Sequence, residues 1–259
     1  DSIGRQINAA RTQMLAFLGV QQGLAGAKQL SDIVDGYRNL EGRIKLVVGE
    51  GKQLADTMES VRQVALRTNS DLTETGNLFA RLAKVGKDAG QSTKDASAQA
   101  LGLTETINQA IQISGASADA SKAALTQLIQ GLQGGTLRGD EFNSVMEQAP
   151  RLAQALADGL GVTTGELRKM ANEGQLTSAT VISALTKQSD TVQAEFNKLP
   201  LTVGRAMQNL HTEFTKYIND QDQAHGYSSR TAEAIGLLAR NLGTVADAML
   251  HAGQTFGAW

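Results

Sequence analysis

Three acidic residues have the type and spacing that could support hydrolysis: Asp140, Glu141 and Glu147. Two carboxyl groups that face one cleft can act as a general acid and a general base, for example on the glycan of a cell wall. Adjacent acidic residues at the start of a short helix are also ordinary partners of the helix dipole. We predict the dipole role. A cell-wall-degrading enzyme is the alternative, testable by zymography with Glu141→Gln and Glu147→Gln.

Other reactive groups do not form recognisable sites. His211, His225 and His251 lie on separate predicted elements, and their spacing matches no metal-binding motif such as HExxH. The glycine-rich run at 131–135 lacks the Lys-Ser/Thr pair of a phosphate-binding loop and predicts the end of a helix instead. The chain has no cysteine, which excludes disulfides and thiol catalysis. We therefore expect no catalytic, cofactor-binding or metal-binding residue.

The segment LADGLGVTTGELRKM at residues 156–170 has the layout of a helix-turn-helix. An apolar helix ends at its glycines, and Thr163 begins a second helix. The residues that this second helix would expose are Thr164, Arg168 and Lys169. Such a helix could enter the major groove of DNA.

Charge argues against that function. Residues 150–190 contain four basic and four acidic side chains, whereas contacts to phosphates need a basic face. The whole chain carries a formal net charge of −2, with both signs scattered along it. Nucleic acid is therefore not an expected partner, and a DNA-contacting module at 156–170 stays an alternative function.

Composition predicts an all-α fold. The 259 residues include only two prolines, and apolar residues recur three and four positions apart rather than alternating as in strands. The 27 glycines indicate many helix ends rather than one rod. No apolar run approaches the ~20 residues that a membrane-spanning helix needs. We predict a multi-helix bundle of roughly eight to ten short helices with helical extensions at both ends.

Local signals mark where these helices begin and end. The predicted caps and breakers are Asn69 or Ser70, Gly86 to Gly90, Gly115, Ser117, Gly134–Gly135, Pro150, the Thr163–Glu166 capping box, Thr177 and Thr202. The polar stretch at 220–229 predicts a loop or hinge, since it contains Gly226 and few apolar residues.

We divide the chain into three parts. Residues 1–48 are predicted to form an N-terminal helical extension, residues 49–218 the central helical domain, and residues 219–259 a C-terminal extension. Apolar stripes within 3–17 and 235–249 support the two extensions. Because the sequence begins without methionine and ends in an apolar tail, we expect it to be an interior piece of a longer protein.

Four segments of the centre carry a family pattern in one order: residues 67–90, 124–162, 163–185 and 199–218. The most specific part is LRGDEFNS followed by QAPRLAQALADGLGV, within 137–162. Over about residues 50–218 the chain resembles the N-terminal domain of the tail tape-measure proteins of tailed bacteriophages.

The resemblance implies a structural virion protein with no cofactor and no catalytic residues to carry over. Members of that family are long and mostly helical. They lie along the tail-tube lumen, set tail length while the tube protein polymerises around them, and leave ahead of the genome at infection. The implied partners are other copies of the chain, the tail tube protein, tail tip proteins and tail assembly chaperones. The implied location is the tail-tube lumen of the virion, and the host cytoplasm before assembly.

Overall fold

The computed structural model describes residues 23–200 and 202–226, and this part of the chain forms ten α-helices and no β-strand. The predicted all-α, multi-helix fold is confirmed. In chain order the helices are α1 Gly23–Val48, α2 Lys52–Thr68, α3 Leu72–Asp88, α4 Thr93–Ile113, α5 Ala118–Gln133, α6 Gly139–Gln148, α7 Pro150–Leu160, α8 Thr164–Asn172, α9 Ser178–Phe196 and α10 Val203–His225.

Most predicted helix starts lie where the cap signals place them. The side chains of Ser117 and Thr177 accept hydrogen bonds from the backbone of Ala120 and Thr180, and Pro150 occupies the first turn of α7. A capping side chain of this kind contributes about 1 kcal/mol to helix stability, because it pairs an amide that the helix leaves free.

The prediction that Asn69 or Ser70 caps α3 is wrong. The cap is Asp71, whose Oδ1 accepts a hydrogen bond of 2.9 Å from the backbone nitrogen of Glu74. Asn69 instead ends α2 in the left-handed conformation, with φ 52°. In that conformation the backbone nitrogens of Asn69 and Ser70 donate to the last carbonyls of α2, and the extended Asp71 that follows has its carboxylate within reach of the first amides of α3.

The predicted start of the polar loop at residue 220 is also corrected. Residues 220–225, predicted as loop, continue α10 to His225, and the helix stops at Gly226 with φ 66°. A polar composition does not break a helix by itself, and Lys216 and Asp220 form a supporting pair one turn apart. The predicted end of α3 between Gly86 and Gly90 is confirmed, since the helix ends at Asp88, and Gly86 itself lies buried inside the helix against Ala96 of α4.

Helix α4 is at the centre of the bundle, where it packs against α2, α3, α7 and α9. The core joins the buried apolar residues from Leu40 to Val192 and is mostly Leu, Val, Ile and Ala, with two fully buried rings, Phe79 and Phe142. Helices α7 and α9 approach most closely at Gly159, which lies against the main chain of Ala184.

Two loops pair through their main chains and tie the start of α9 to the end of α5. The nitrogen of Leu137 donates to the oxygen of Leu176 at 2.8 Å, and the nitrogen of Ser178 donates to the oxygen of Gly135 at 3.0 Å. We call this pairing of 134–138 with 175–178 the clasp. It contains the antiparallel bridge between Thr136 and Thr177, and it closes residues 138–175 into one loop.

The chain divides into two compact units. One is Gly36–Phe214, which contains the core. The other comprises 1–35 and 215–259, of which residues 23–35 and 215–226 are described as parts of α1 and α10. The predicted three-part division at 48 and 218 stays a prediction. The stripes predicted within 3–17 and 235–249 lie outside the described residues.

No described helix is both long and apolar enough to cross a lipid bilayer.

Candidate functional site

The carboxylates with potential for catalysis all lie on α6, two at its start and one near its end. Asp140 and Glu141 are in its first turn, as predicted, and the exposed Glu147 is close to its last residue. Glu141 and Glu147 are six positions apart, which is about 9 Å of rise and more than one and a half turns, so their side chains lie on different sides of the helix. Asp140 lies on the same side as Glu147, but it is seven positions away, about 10.5 Å along the axis, and both side chains are exposed to solvent rather than facing one cleft.

The histidines lie apart as well. His211 is exposed in the middle of α10, His225 ends that helix, and His251 lies outside the described residues. Across the described part of the chain, no group of three His, Asp or Glu side chains is close enough to hold a metal ion.

The predicted helix-turn-helix exists as two short helices, α7 and α8, joined through Gly161 at φ 70°. The capping box of α8 is complete. Thr163 Oγ1 accepts from the nitrogen of Glu166 at 3.2 Å, and Glu166 Oε2 accepts from the nitrogen of Thr163 at 2.8 Å. The hydrogen bond from the Thr163 backbone nitrogen, and after it a bond in which the Thr163 hydroxyl donates to Glu166 Oε2 at 2.9 Å, lower the pKa of Glu166. The negative charge of Glu166 thus lies at the N-terminal end of α8. That is the end that a DNA-reading helix directs toward the bases of the groove.

The outer face of α8 is close to neutral. Arg168 and Lys169 are exposed as predicted, but Lys169 lies 3.9 Å from the carboxylate of Glu173. The inner face holds Leu167 and Ala171, both fully buried in the core. Helix α8 therefore covers the bundle with one side, and the other side lacks the basic character that phosphate contacts need.

Sequence reasoning missed a cleft of about 700 Å³ in the Gly36–Phe214 unit. It lies among the starts of α3, α5 and α10 and the last turns of α4. Its lining includes Asn69, Asn108, Gln112 and Gln208, above the apolar side chains of Ile111 and Leu125. The available signal was weak: the amide residues Asn108 and Gln112 lie four positions apart on α4, but that helix also carries other polar residues, including the amides Gln99 and Gln109.

Four of the five charged residues that line the cleft are engaged with the protein itself, and the fifth is Asp119 in the first turn of α5. Lys122 lies 3.4 Å from Glu74, and Asp71 caps α3. Arg205 donates to the carbonyl of Pro200 at 2.9 Å and its guanidinium lies 5.9 Å from the ring centre of Phe196. The cleft therefore lacks a free charged set of the kind that would select a phosphate, a metal ion or a charged substrate.

The residues of the sequence pattern within 137–162 build the bundle rather than a reaction centre. Leu137 is in the clasp and contacts Gly131, while Phe142, Val145, Leu152 and Leu156 are fully buried. Arg151 joins three helices: its guanidinium binds Glu195 of α9 at 2.6 and 3.0 Å, and its nitrogen donates to Ser114 Oγ at the end of α4.

A comparison with models of protein families matches residues 28–223 to the family described as tape measure protein. That match spans most of the sequence. The chain belongs to the tape measure protein family. A search of curated proteins and a search of solved structures both found no match.

The tape measure match is longer than the resemblance seen in the sequence. It begins at residue 28 rather than about 50 and ends at 223 rather than 218, so it includes most of α1 and α10. Residues 28–48, in which the sequence shows no recognisable motif, therefore belong to the family region as well. Tape measure proteins are structural rather than catalytic components of the phage tail, and the burial of the family pattern in this chain agrees with that role.

Proposed function

We propose that this chain is part of the tape measure that sets tail length and organises assembly of the tail tube. The observation that carries the proposal is the family match over residues 28–223. The bundle supports it, because the residues that carry the family pattern are used for packing, and the described acidic and histidine residues do not converge on a reaction centre.

The described part of the tape measure is a folded head and not the extended ruler. A single helix of 259 residues would span roughly 390 Å at ~1.5 Å per residue. The longest described helix has 26 residues, and α4 packs against helices before and after it in the chain. Under this proposal the Gly36–Phe214 unit docks at one end of the tube or on an assembly partner, and extended segments of the tape measure supply the length.

The partners in this proposal are other copies of the chain, the tail tube protein, tail tip proteins and tail assembly chaperones. The protein acts in the tail-tube lumen of the virion and in the host cytoplasm before assembly. Nucleic acid is not among the partners, because α8 offers a near-neutral face.

Both statements can be tested with a phage whose tape measure gene carries an in-frame deletion of the codons for residues 36–214. Electron microscopy then measures the number and the length of its tails. Treated as one helix, those residues would account for roughly 270 Å of tail. We expect either a loss of assembled tails or tails shortened by much less than that. Tails shortened by the full length would contradict the folded head. Tails of normal number and length would contradict a role in tail assembly.

The composition of the core also fits a protein that must leave through a narrow tube. Aromatic residues are 4% of the sequence, and the fully buried side chains are mostly aliphatic. We propose that the bundle unfolds or deforms easily on exit. Pulling of the full chain in an optical trap should show low unfolding forces, and an unusually resistant bundle would contradict this part of the proposal.

A further inference from the structure

The N-terminal half of α10 joins the bundle outside its hydrophobic core. We call residues 203–214 the α10 strap. Among the described residues, the core of buried apolar side chains extends from Leu40 to Val192 and includes none from the strap. Phe214 is buried, but Met207 and Leu210, predicted from the apolar stripe, are only half-buried. Burial of apolar surface therefore stabilises the docking of the strap less than it stabilises the packing of the core helices.

The inner face of the strap is polar and only partly paired. Thr212 is completely buried, and Gln208 and Asn209 are half-buried. Within the described part of the chain, three of their polar atoms are buried without a hydrogen-bond partner: Gln208 Nε2, Asn209 Oδ1 and Thr212 Oγ1. If the strap moved away, each of these atoms would form hydrogen bonds to water. Docking removes those hydrogen bonds without replacing them, which makes the docked state less favourable.

The bundle presents a matching polar surface beneath the strap. Asn108, which lines the cleft together with Gln208, is 1% exposed and its Oδ1 also has no partner among the described residues. Its Nδ2 donates to the hydroxyls of Thr68 and Thr75 at 3.3 and 3.0 Å. A surface of amides and hydroxyls remains compatible with water when it is uncovered.

Few direct contacts hold the strap in place. Asn209 Nδ2 donates to Asn69 Oδ1 at 3.0 Å, and Arg205 Nη2 donates to the carbonyl of Gln112 at 3.4 Å. Arg62 of α2 forms an ion pair with Glu213, whose side chain is 51% exposed. Arg62 is 13% exposed and also pairs with Glu59, so its ion pair with the half-exposed Glu213 contributes modestly to docking of the strap and is partly screened by salt.

We propose that the α10 strap is a releasable element, which undocks from the bundle while the core from Leu40 to Val192 stays folded. Both surfaces that separate carry hydroxyl and amide groups, and four of these side chains each have a buried polar atom without a hydrogen-bond partner in the range that the structure describes: Gln208, Asn209, Thr212 and Asn108. Helix α7 is the contrast, since Leu152 and Leu156 bind it to the core through fully buried aliphatic side chains.

The absence of cysteine from the sequence makes this proposal directly measurable. The variants Thr212→Cys and Val145→Cys each place one thiol at a completely buried position with a side chain of similar size. In the full chain we expect the thiol introduced at 212 to react with a thiol reagent at least about tenfold faster than the thiol at 145, because opening of the strap needs less free energy than unfolding of the core. Equal rates, with the same dependence on denaturant, would overturn the proposal.

Hydrogen exchange of the unaltered chain is the second measurement and needs no buried substitution. We expect the backbone amides of 207–214 to exchange by a local opening that is insensitive to low denaturant, and those of α7 to exchange only through global unfolding. Arg62→Gln should speed exchange in the strap by removing the ion pair with Glu213. Thr212→Val should slow it by replacing an unpaired hydroxyl with a methyl group of similar size. Neither variant should change exchange in α7, and a parallel change in α7 would show that the strap and core open together.

Discussion

Gly159 occupies a position with no space for a side chain. A Cβ atom there would overlap the carbonyl oxygen and Cα of Ala184, which are main-chain atoms of α9 and cannot rotate away. The contact therefore sets how closely α7 and α9 approach each other. It also explains a glycine inside a helix, where glycine otherwise lowers stability.

Gly159→Ala should destabilise the bundle by about 3 kcal/mol, because the helices must separate to admit the methyl group. Urea unfolding followed by circular dichroism measures the change. The matched control is Gly102→Ala in α4, where the added Cβ meets nothing within 4 Å. The control should stabilise the chain by up to about 1 kcal/mol through helix propensity alone. Equal effects of the two substitutions would show that the α7–α9 contact is looser than described.

Glu195 gives the fold a pH dependence whose sign follows from its partner. The guanidinium of Arg151 holds the pKa of Glu195 below its ordinary value, mainly through their hydrogen bonds. Because the pKa of Glu195 is lower in the folded state, its ionised form stabilises the native state at pH values above the ordinary carboxyl pKa of 4.5. That stabilisation disappears as the pH falls through the lowered pKa of the folded state.

Glu195→Gln should therefore be less stable than the parent chain at pH 7, and the difference should shrink as the pH falls below 4.5. The test is to measure the urea concentration at the midpoint of unfolding for both proteins between pH 3 and 7 and to compare the difference at each pH. A difference that stays constant with pH would mean that the ion pair does not contribute through its charge.

At the scale of elements, helix ends were predictable where one local signal was present, as at Ser117, Pro150 and Thr177. They were not predictable where several candidates competed. Asn69, Ser70 and Asp71 all have capping side chains, and only the left-handed backbone at Asn69 decides that Asp71 begins α3. Residues 220–225 were predicted as loop because they are polar, although no residue before Gly226 breaks the helix.

Helix α8 permits a sharp test of the DNA-binding alternative. With a complete capping box at Glu166 and a near-neutral outer face, it should show no salt-sensitive binding to duplex DNA in a gel-shift titration. Arg168→Ala and Lys169→Ala should leave the result unchanged. Binding that weakens with salt and is lost in these two variants would instead support a DNA-contacting role.

At the scale of the whole molecule, the spacing of aliphatic residues was enough to assign their stripes to a core. The same spacing gave no prediction of the cleft. The cleft brings together residues near 70, 110, 120 and 205, which no local pattern relates. The strap illustrates the same limit. Its apolar spacing predicted core residues, yet Met207 and Leu210 are half-buried and the neighbouring Gln208 lines the polar cleft with Asn108.

The core itself is tested by Leu156→Asp, which places a charge where the parent side chain is completely buried. We expect several kcal/mol of destabilisation, on the order of 4 kcal/mol, since the carboxylate has no partner there. Leu46→Asp is the control, because Leu46 is 84% exposed, and it should melt within a few degrees of the parent chain. A parent-like melting temperature for Leu156→Asp would mean that the α7 stripe faces solvent or a partner.

The clasp determines how the bundle responds to force. Tension applied to the two ends of the chain passes through the main-chain bonds from Leu137 to Leu176 and from Ser178 to Gly135, and it bypasses residues 138–175 while those bonds hold. Helices α6, α7 and α8 are thus shielded from a pull that already strains their neighbours. Once these two bonds and the packing of α7 against α4 and α9 give way, that stretch joins the loaded path, and we expect a force–extension trace to record a discrete gain in length.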